Sequence, residues 1–318
     1  MSRYSLLILC FSALILESCT SDDTVSILQK DALLPPIIYP LENPISATKV
    51  QLGRTLFFDP ILSTDSTISC ASCHLPEFAF SDTIPVSKGA HSRLGFRNSP
   101  SLYNLAWKPL FFKDGGVRNL ELQVLAPLFD PNELDFGSTE LVKRLKHSPL
   151  YFKLFQKAFG GEPSLNYVVK ALASFERMLI YNESKFDLFL KQEIMLSKAE
   201  LRGMQLFYSP KLACGSCHTG ILFTDFQYYD IGLPPTKDVG RYRVTLDSLD
   251  KYKFETPSLK AVGLTAPYMH NGSMDNLRKV IEWYNIGGEI RNLKDARIRP
   301  LDLSKKEKED LLTFLHCL

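Results

Sequence analysis

The chain has 318 residues, 45% of them hydrophobic and 23% charged, the balance of an ordinary globular protein. Its 37 basic and 35 acidic side chains leave a formal charge of +2, so no basic excess points to nucleic acid or to an anionic membrane as partner. At about 100–200 residues per domain, the length predicts two domains.

In chain order, Arg3 precedes an apolar run from Leu6 to Leu16. The run is too short to cross a bilayer as a helix and matches the core of a signal peptide. The stretch that follows, Leu16-Glu17-Ser18-Cys19, is similar to a bacterial lipoprotein cleavage site. Residues 1–19 therefore read as a lipoprotein-type leader, with a lipid anchor at Cys19. Simple secretion and an uncleaved anchor are the alternatives, and all three place the folded part outside the cytoplasm, in the periplasm. Residues 20–44 are polar and then carry Pro35, Pro36, Pro40 and Pro44, the composition of a tether.

Two amphipathic stretches, residues 52–58 and 201–207, each lead into a cysteine pair. The pairs are Cys70-Ala71-Ser72-Cys73-His74 and Cys214-Gly215-Ser216-Cys217-His218. Disulfides would be the ordinary use of C-x-x-C in an exported protein, and paired zinc ligands another. The His after each pair argues for a third use. Two thiols bond the two vinyl groups on one porphyrin edge, and the adjacent imidazole ligates the iron. Two haem c groups are the expected cofactors. The motifs lie 144 residues apart (214 minus 70), one domain length, so each haem is expected in its own domain. Helical patterns cover residues 139–159, 167–190 and 304–315, and strand alternation is scarce. The expectation is a mostly α protein with two cytochrome c-like haem domains and long loops. The N-terminal domain spans 45–193 and the C-terminal domain 194–318, with the boundary in the polar stretch 191–197. Cys317, His147 and His316 take no part in either motif.

With these motifs the chain resembles the bacterial di-haem cytochrome c peroxidase and MauG family, over about residues 43–315. Further stretches carry the resemblance: Gly53-Arg54 with Phe57-Phe58-Asp59-Pro60, Arg97-Asn98-Ser99-Pro100-Ser101-Leu102, Pro257-Ser258-Leu259, and Ala266-Pro267-Tyr268-Met269-His270-Asn271-Gly272-Ser273. The resemblance implies a peroxidatic haem in the N-terminal domain, an electron-transfer haem in the C-terminal domain, and Ca2+ between them. It implies His74 and His218 as proximal ligands, and Asn98 with the carbonyls of Thr265 and Pro267 at the calcium site. His91 falls where some members hold a dissociable sixth ligand. Gln123 and Glu133 fall in the distal pocket, where a single carboxylate can take a proton from peroxide and return it to the leaving oxygen. Dimers are common in the family.

Two positions depart from the peroxidase pattern. The residue before Asp114-Gly115, an aromatic in these enzymes, is Lys113. Fourteen residues after His270, where the peroxidases hold a Met ligand, stands Tyr284, as in MauG. The expected function is reduction of hydrogen peroxide to water, with electrons from a small cytochrome c or cupredoxin. A MauG-like oxidase acting on a partner protein is the alternative. A plain electron carrier is the second alternative.

Overall fold

The computed structural model describes residues 33–318. The leader and the lipidation site at Cys19 lie outside the described residues. Among the described residues no helix is long and apolar enough to cross a membrane. The chain is mostly helical with little strand.

Helix α1 (Ala47–Phe58) starts on Ser46, whose hydroxyl accepts from the Lys49 N–H, the usual way to satisfy a free donor of a first turn. Next come α2 (Leu120–Phe129), α3 (Ser138–His147), α4 (Pro149–Phe159) and α5 (Leu165–Arg177). The helical pattern over 139–159 divides because Pro149 cannot continue α3 and instead opens α4, capped by Ser148. The pattern over 167–190 divides too. After Arg177 the chain turns, and the Asn104 side chain bonds the N–H and carbonyl of Tyr181. Helix α6 (Lys185–Leu190) then restarts on a Ser184–Asp187 capping box.

The second half contains α7 (Lys198–Phe207), the short α8 (Tyr242–Thr245), α9 (Leu277–Ile286) and α10 (Lys305–Leu315). A two-residue antiparallel pair, β1 (Tyr228–Tyr229) with β2 (Phe254–Glu255), is its only sheet among the described residues. Apolar side chains gather in two main cores. One runs from Leu52 to Phe175 and is built on α1, α4 and α5. The other runs from Phe186 to Leu318 and is built on α7, α9 and α10.

The two halves repeat one plan. Gly53 lets α1 approach the Ala171 carbonyl of α5 so closely that an added Cβ would sit 1.9 Å from that oxygen. Gly203 does the same for α7 against the Asp310 carbonyl of α10, at 2.0 Å. A longer stretch repeats at a fixed interval of 157 residues (268 minus 111). The bridge Phe111–Val117 recurs as Tyr268–Met274. The turn Leu105–Trp107 recurs as Val262–Leu264. The helix cap Asn119 recurs as Asn276. Lys113 thereby corresponds to His270, and Pro127 on α2 to Tyr284 on α9.

Residues 35–44, part of the stretch read as a tether, do not run free. Asn43 is buried and donates to Glu121 and to the Lys170 carbonyl, and the Trp107 indole donates to the Pro35 carbonyl. Proline keeps this segment extended without using its own N–H groups, so side chains of the first half hold it instead.

Candidate active site and haem-binding loops

Each C-x-x-C-H motif folds as a single 3-10 turn after its helix. The N–H groups of Cys73 and His74 both donate to the Cys70 carbonyl, at 3.2 and 3.0 Å. Cys217 and His218 repeat this on Cys214, at 3.2 and 2.9 Å. In the first loop the carbonyls of Phe80 (2.8 Å) and Pro100 face the His74 ring. In the second, those of Phe223 (3.0 Å) and Pro257 face His218. A carbonyl only accepts, so Nδ1 carries the hydrogen and Nε2 keeps its lone pair for a metal. Burial lowers the basicity of both imidazoles, which keeps them neutral.

None of the four thiols is in a disulfide. Among the described residues, no three His, Cys, Asp or Glu side chains converge as a cage for a metal ion. Two reduced thiols beside one neutral, oriented imidazole is the donor set haem c requires, and both loops present it.

The residues expected in the distal pocket lie on α2 and in the turn after it. Gln123 is half-buried on α2. Glu133 sits in the following turn, where its N–H donates to the Asp130 carbonyl (2.9 Å) and its own carbonyl accepts from Ala90 (2.7 Å). Its carboxylate adds to the upward push that burial gives the Cys70 and Cys73 thiols. Glu133 keeps water-accessible surface. Crowding by the surrounding protein and the nearby Asp130 still push its carboxyl up to about 7.

His91 stands on the same side in a left-handed conformation (φ 53°). Its N–H donates to Asp65 Oδ2 at 2.9 Å. Its ring lies 3.6 Å from Asp65 and 4.0 Å from Asp135, 53% exposed. These contacts hold the imidazole between two surface carboxylates.

In the second half, Tyr284 projects from α9 at the position that Pro127 occupies on α2. It is half-buried against the second core. Burial and the neighbouring Cys214 and Cys217 thiols push its phenol well above the ordinary range.

The halves meet at the repeated loops. The Lys113 carbonyl accepts from the Glu255 N–H (2.9 Å), and its Nζ donates to the Met269 carbonyl (3.4 Å). Burial and the cations Arg97 and Lys108 bring the Lys113 amine down to about 7. Arg97 pairs with Asp114 (2.8 Å) on one side and with Asp238 (2.6 Å) on the other. Asn98 donates its backbone N–H to the His270 carbonyl (3.0 Å), three residues after Pro267. Its side-chain nitrogen donates to the Ile84 carbonyl (3.4 Å).

Two buried groups escaped the sequence reading. Glu176 is 6% exposed and its Oε2 has no hydrogen-bond partner; burial pushes the carboxyl up to about 8. His270 is 7% exposed, and neither ring nitrogen has a partner. No residue pattern distinguishes Glu176 from the adjoining Arg177, which pairs with Glu121. Periodicity places both on a helix but does not tell which one stays unpaired.

Known proteins resemble this chain along most of its length. A family model described as di-haem cytochrome c peroxidase matches residues 47–194. The methylamine utilization protein MauG of Methylorubrum extorquens is 38% identical over 88% of this chain and 80% of its own length. The cytochrome c551 peroxidase of Pseudomonas aeruginosa is 32% identical over 98% and 90%. A solved MauG-like protein associated with microbial copper homeostasis superposes with a TM-score of 0.86 at 34% identity, covering 91% of this chain and 94% of that one. The chain belongs to the di-haem cytochrome c peroxidase family, and that family carries two haem c groups.

Proposed function

We propose that this protein reduces hydrogen peroxide to water at the His74 loop, with electrons entering through the His218 loop from a small cytochrome c or cupredoxin. Relatives named cytochrome c peroxidase support the peroxidase activity. The observation that carries the assignment is the turn after α2, which ties Glu133 to the His91 loop through its carbonyl's bond from the Ala90 N–H (2.7 Å), with its carboxyl raised to about 7.

When bound, the haem supplies the electrons and a coordination position for peroxide. The protein supplies proton handling and orientation. Peroxide, two electrons and two protons give two waters. Ionised Glu133 takes the proton from one peroxide oxygen and returns it to the oxygen that leaves. A carboxyl near neutrality suits both halves of this exchange. The Gln123 amide orients peroxide by hydrogen bonding and carries no proton. The expected result for Glu133→Gln is full haem loading with kcat/KM lowered by about 10²–10⁴-fold. A variant that keeps most of its kcat/KM would remove Glu133 from the mechanism.

One observation favours a second reading, a MauG-like oxidase acting on a partner protein. Tyr284 stands on α9 where the repeat has Pro127 on α2, and its phenol feels the Cys214 and Cys217 thiols, which supports its reading as a distal ligand. As a ligand it would lose its proton, and an anionic oxygen stabilises ferric and higher states. His91 remains a candidate sixth ligand only if its loop swings away from Asp65 and Asp135. Asn98 Oδ1 and the carbonyls of Thr265 and Pro267 are the oxygen donors proposed for Ca2+, a cation that prefers such ligands. The pattern around Cys19 supports a lipid-anchored, periplasmic protein.

A further inference from the structure

We infer that electrons pass between the two haem loops through the stacked rings of His270 and Phe254, and not through position 113. The inference rests on the two-haem reading above. The two rings lie 3.9 Å apart and 10° from parallel. His270 is buried, and its ring nitrogens have no hydrogen-bond partner. The Arg97 guanidinium lies 5.6 Å from the Phe254 ring, and its pairs with Asp114 and Asp238 hold it there.

A short route leads from this pair to each proximal imidazole. On one side the His270 carbonyl accepts from the Asn98 N–H at 3.0 Å. Ser99 then leads to Pro100, whose carbonyl faces His74. On the other side Phe254 stands three residues before Pro257, whose carbonyl faces His218. Pro100 and Pro257 are equivalents in the 157-residue repeat (257 minus 100), so the route joins like points of the two halves. Lys113, the equivalent of His270, has a saturated side chain and no π system.

Each transfer moves one electron. The iron held by His218 goes from ferrous to ferric, and the centre held by His74 gains that electron. The His270 imidazole is neutral, its basicity lowered mainly by burial, so no proton accompanies the step.

The test uses the full haem-loaded protein. The haem count is taken by intact mass, and the rate of electron equilibration between the haems is followed by pulse radiolysis. Phe254→Leu and His270→Leu should each lose most of the wild-type rate with the two haem spectra unchanged. Phe254→Tyr, which keeps the stack, should retain the rate, as should Lys113→Ala. Because the two rings act together, the double Leu variant should lose little more than either single one. A wild-type rate in Phe254→Leu, or an equal loss in Lys113→Ala, would overturn the route while leaving the two-haem reading intact. A wild-type count of one haem would overturn both.

Discussion

At single residues, the proposed chemistry rests most on Glu133 and Tyr284. As the proposed base, Glu133 must be ionised to act, so kcat/KM should rise with pH through about 7 and level off above it. A pH profile that is flat from about 5 to 9 would show that another group handles the proton. With Tyr284 as the proposed ligand, Tyr284→Met should put a thioether in its place. The expected signature is a His/Met spectrum at the C-terminal haem and a higher reduction potential. If the wild-type protein already shows His/Met or His/His ligation, Tyr284 is a packing residue.

Glu176 makes a different prediction. Its folded-state pKa, about 8, lies above its ordinary value of 4.5. Its contribution to stability is therefore full below about pH 4.5 and is lost as pH rises through about 8. Glu176→Gln removes that dependence, so its urea midpoint should gain on the wild type at about pH 9 relative to about pH 5. An unchanged difference between the two pH values would show that Glu176 is ionised in the folded protein.

At the scale of elements, the repeat explains why certain positions hold glycine. An added methyl at Gly203 would meet the Asp310 carbonyl and the Phe314 Cβ at 2.0 and 2.7 Å. Forcing the helices apart typically costs about 1–3 kcal/mol. Gly203→Ala should therefore lower the unfolding free energy by that amount, as read by denaturant titration, whereas Gly137→Ala, with open space around it, should not.

The helices were legible in the sequence where apolar spacing was long and capped, as in α10, whose Ser304–Glu307 box marks its start. The breaks at Ser148 and after Arg177 were not read. The first depends on a proline that can either open or end a helix, and the second on long-range bonds from Asn104. The two haem loops were legible because the covalent chemistry demands a fixed local spacing. The repeat from Lys113–His270 to Pro127–Tyr284 was not read from the residues. It is preserved in backbone conformation, with Phe112 and Met269 both at positive φ, while the side chains have diverged.

At the scale of the whole molecule, the halves are joined by backbone bonds, by the Lys108–Glu255 ion pair and by a branched ion pair on Arg97. Arg97 bridges Asp114 in the first half and Asp238 in the second, all three largely buried. Removing the cation alone leaves two buried carboxylates without their partner, a change that typically costs about 3–5 kcal/mol. Arg97→Leu should therefore loosen the junction, with faster hydrogen exchange at the Asn98 and Glu255 amides that cross it. Exchange at wild-type rates would show that the Arg97 pairs do not hold the junction.

The proposed arrangement as a whole has one peroxide-facing loop and one electron-entry loop. The most direct test is steady-state oxidation of a reduced small cytochrome c by the haem-loaded protein on addition of hydrogen peroxide. The predicted result is saturable turnover, with two cytochromes oxidised for each peroxide consumed. A protein that carries both haems, accepts electrons and yet shows no peroxide-dependent oxidation would contradict the peroxidase assignment.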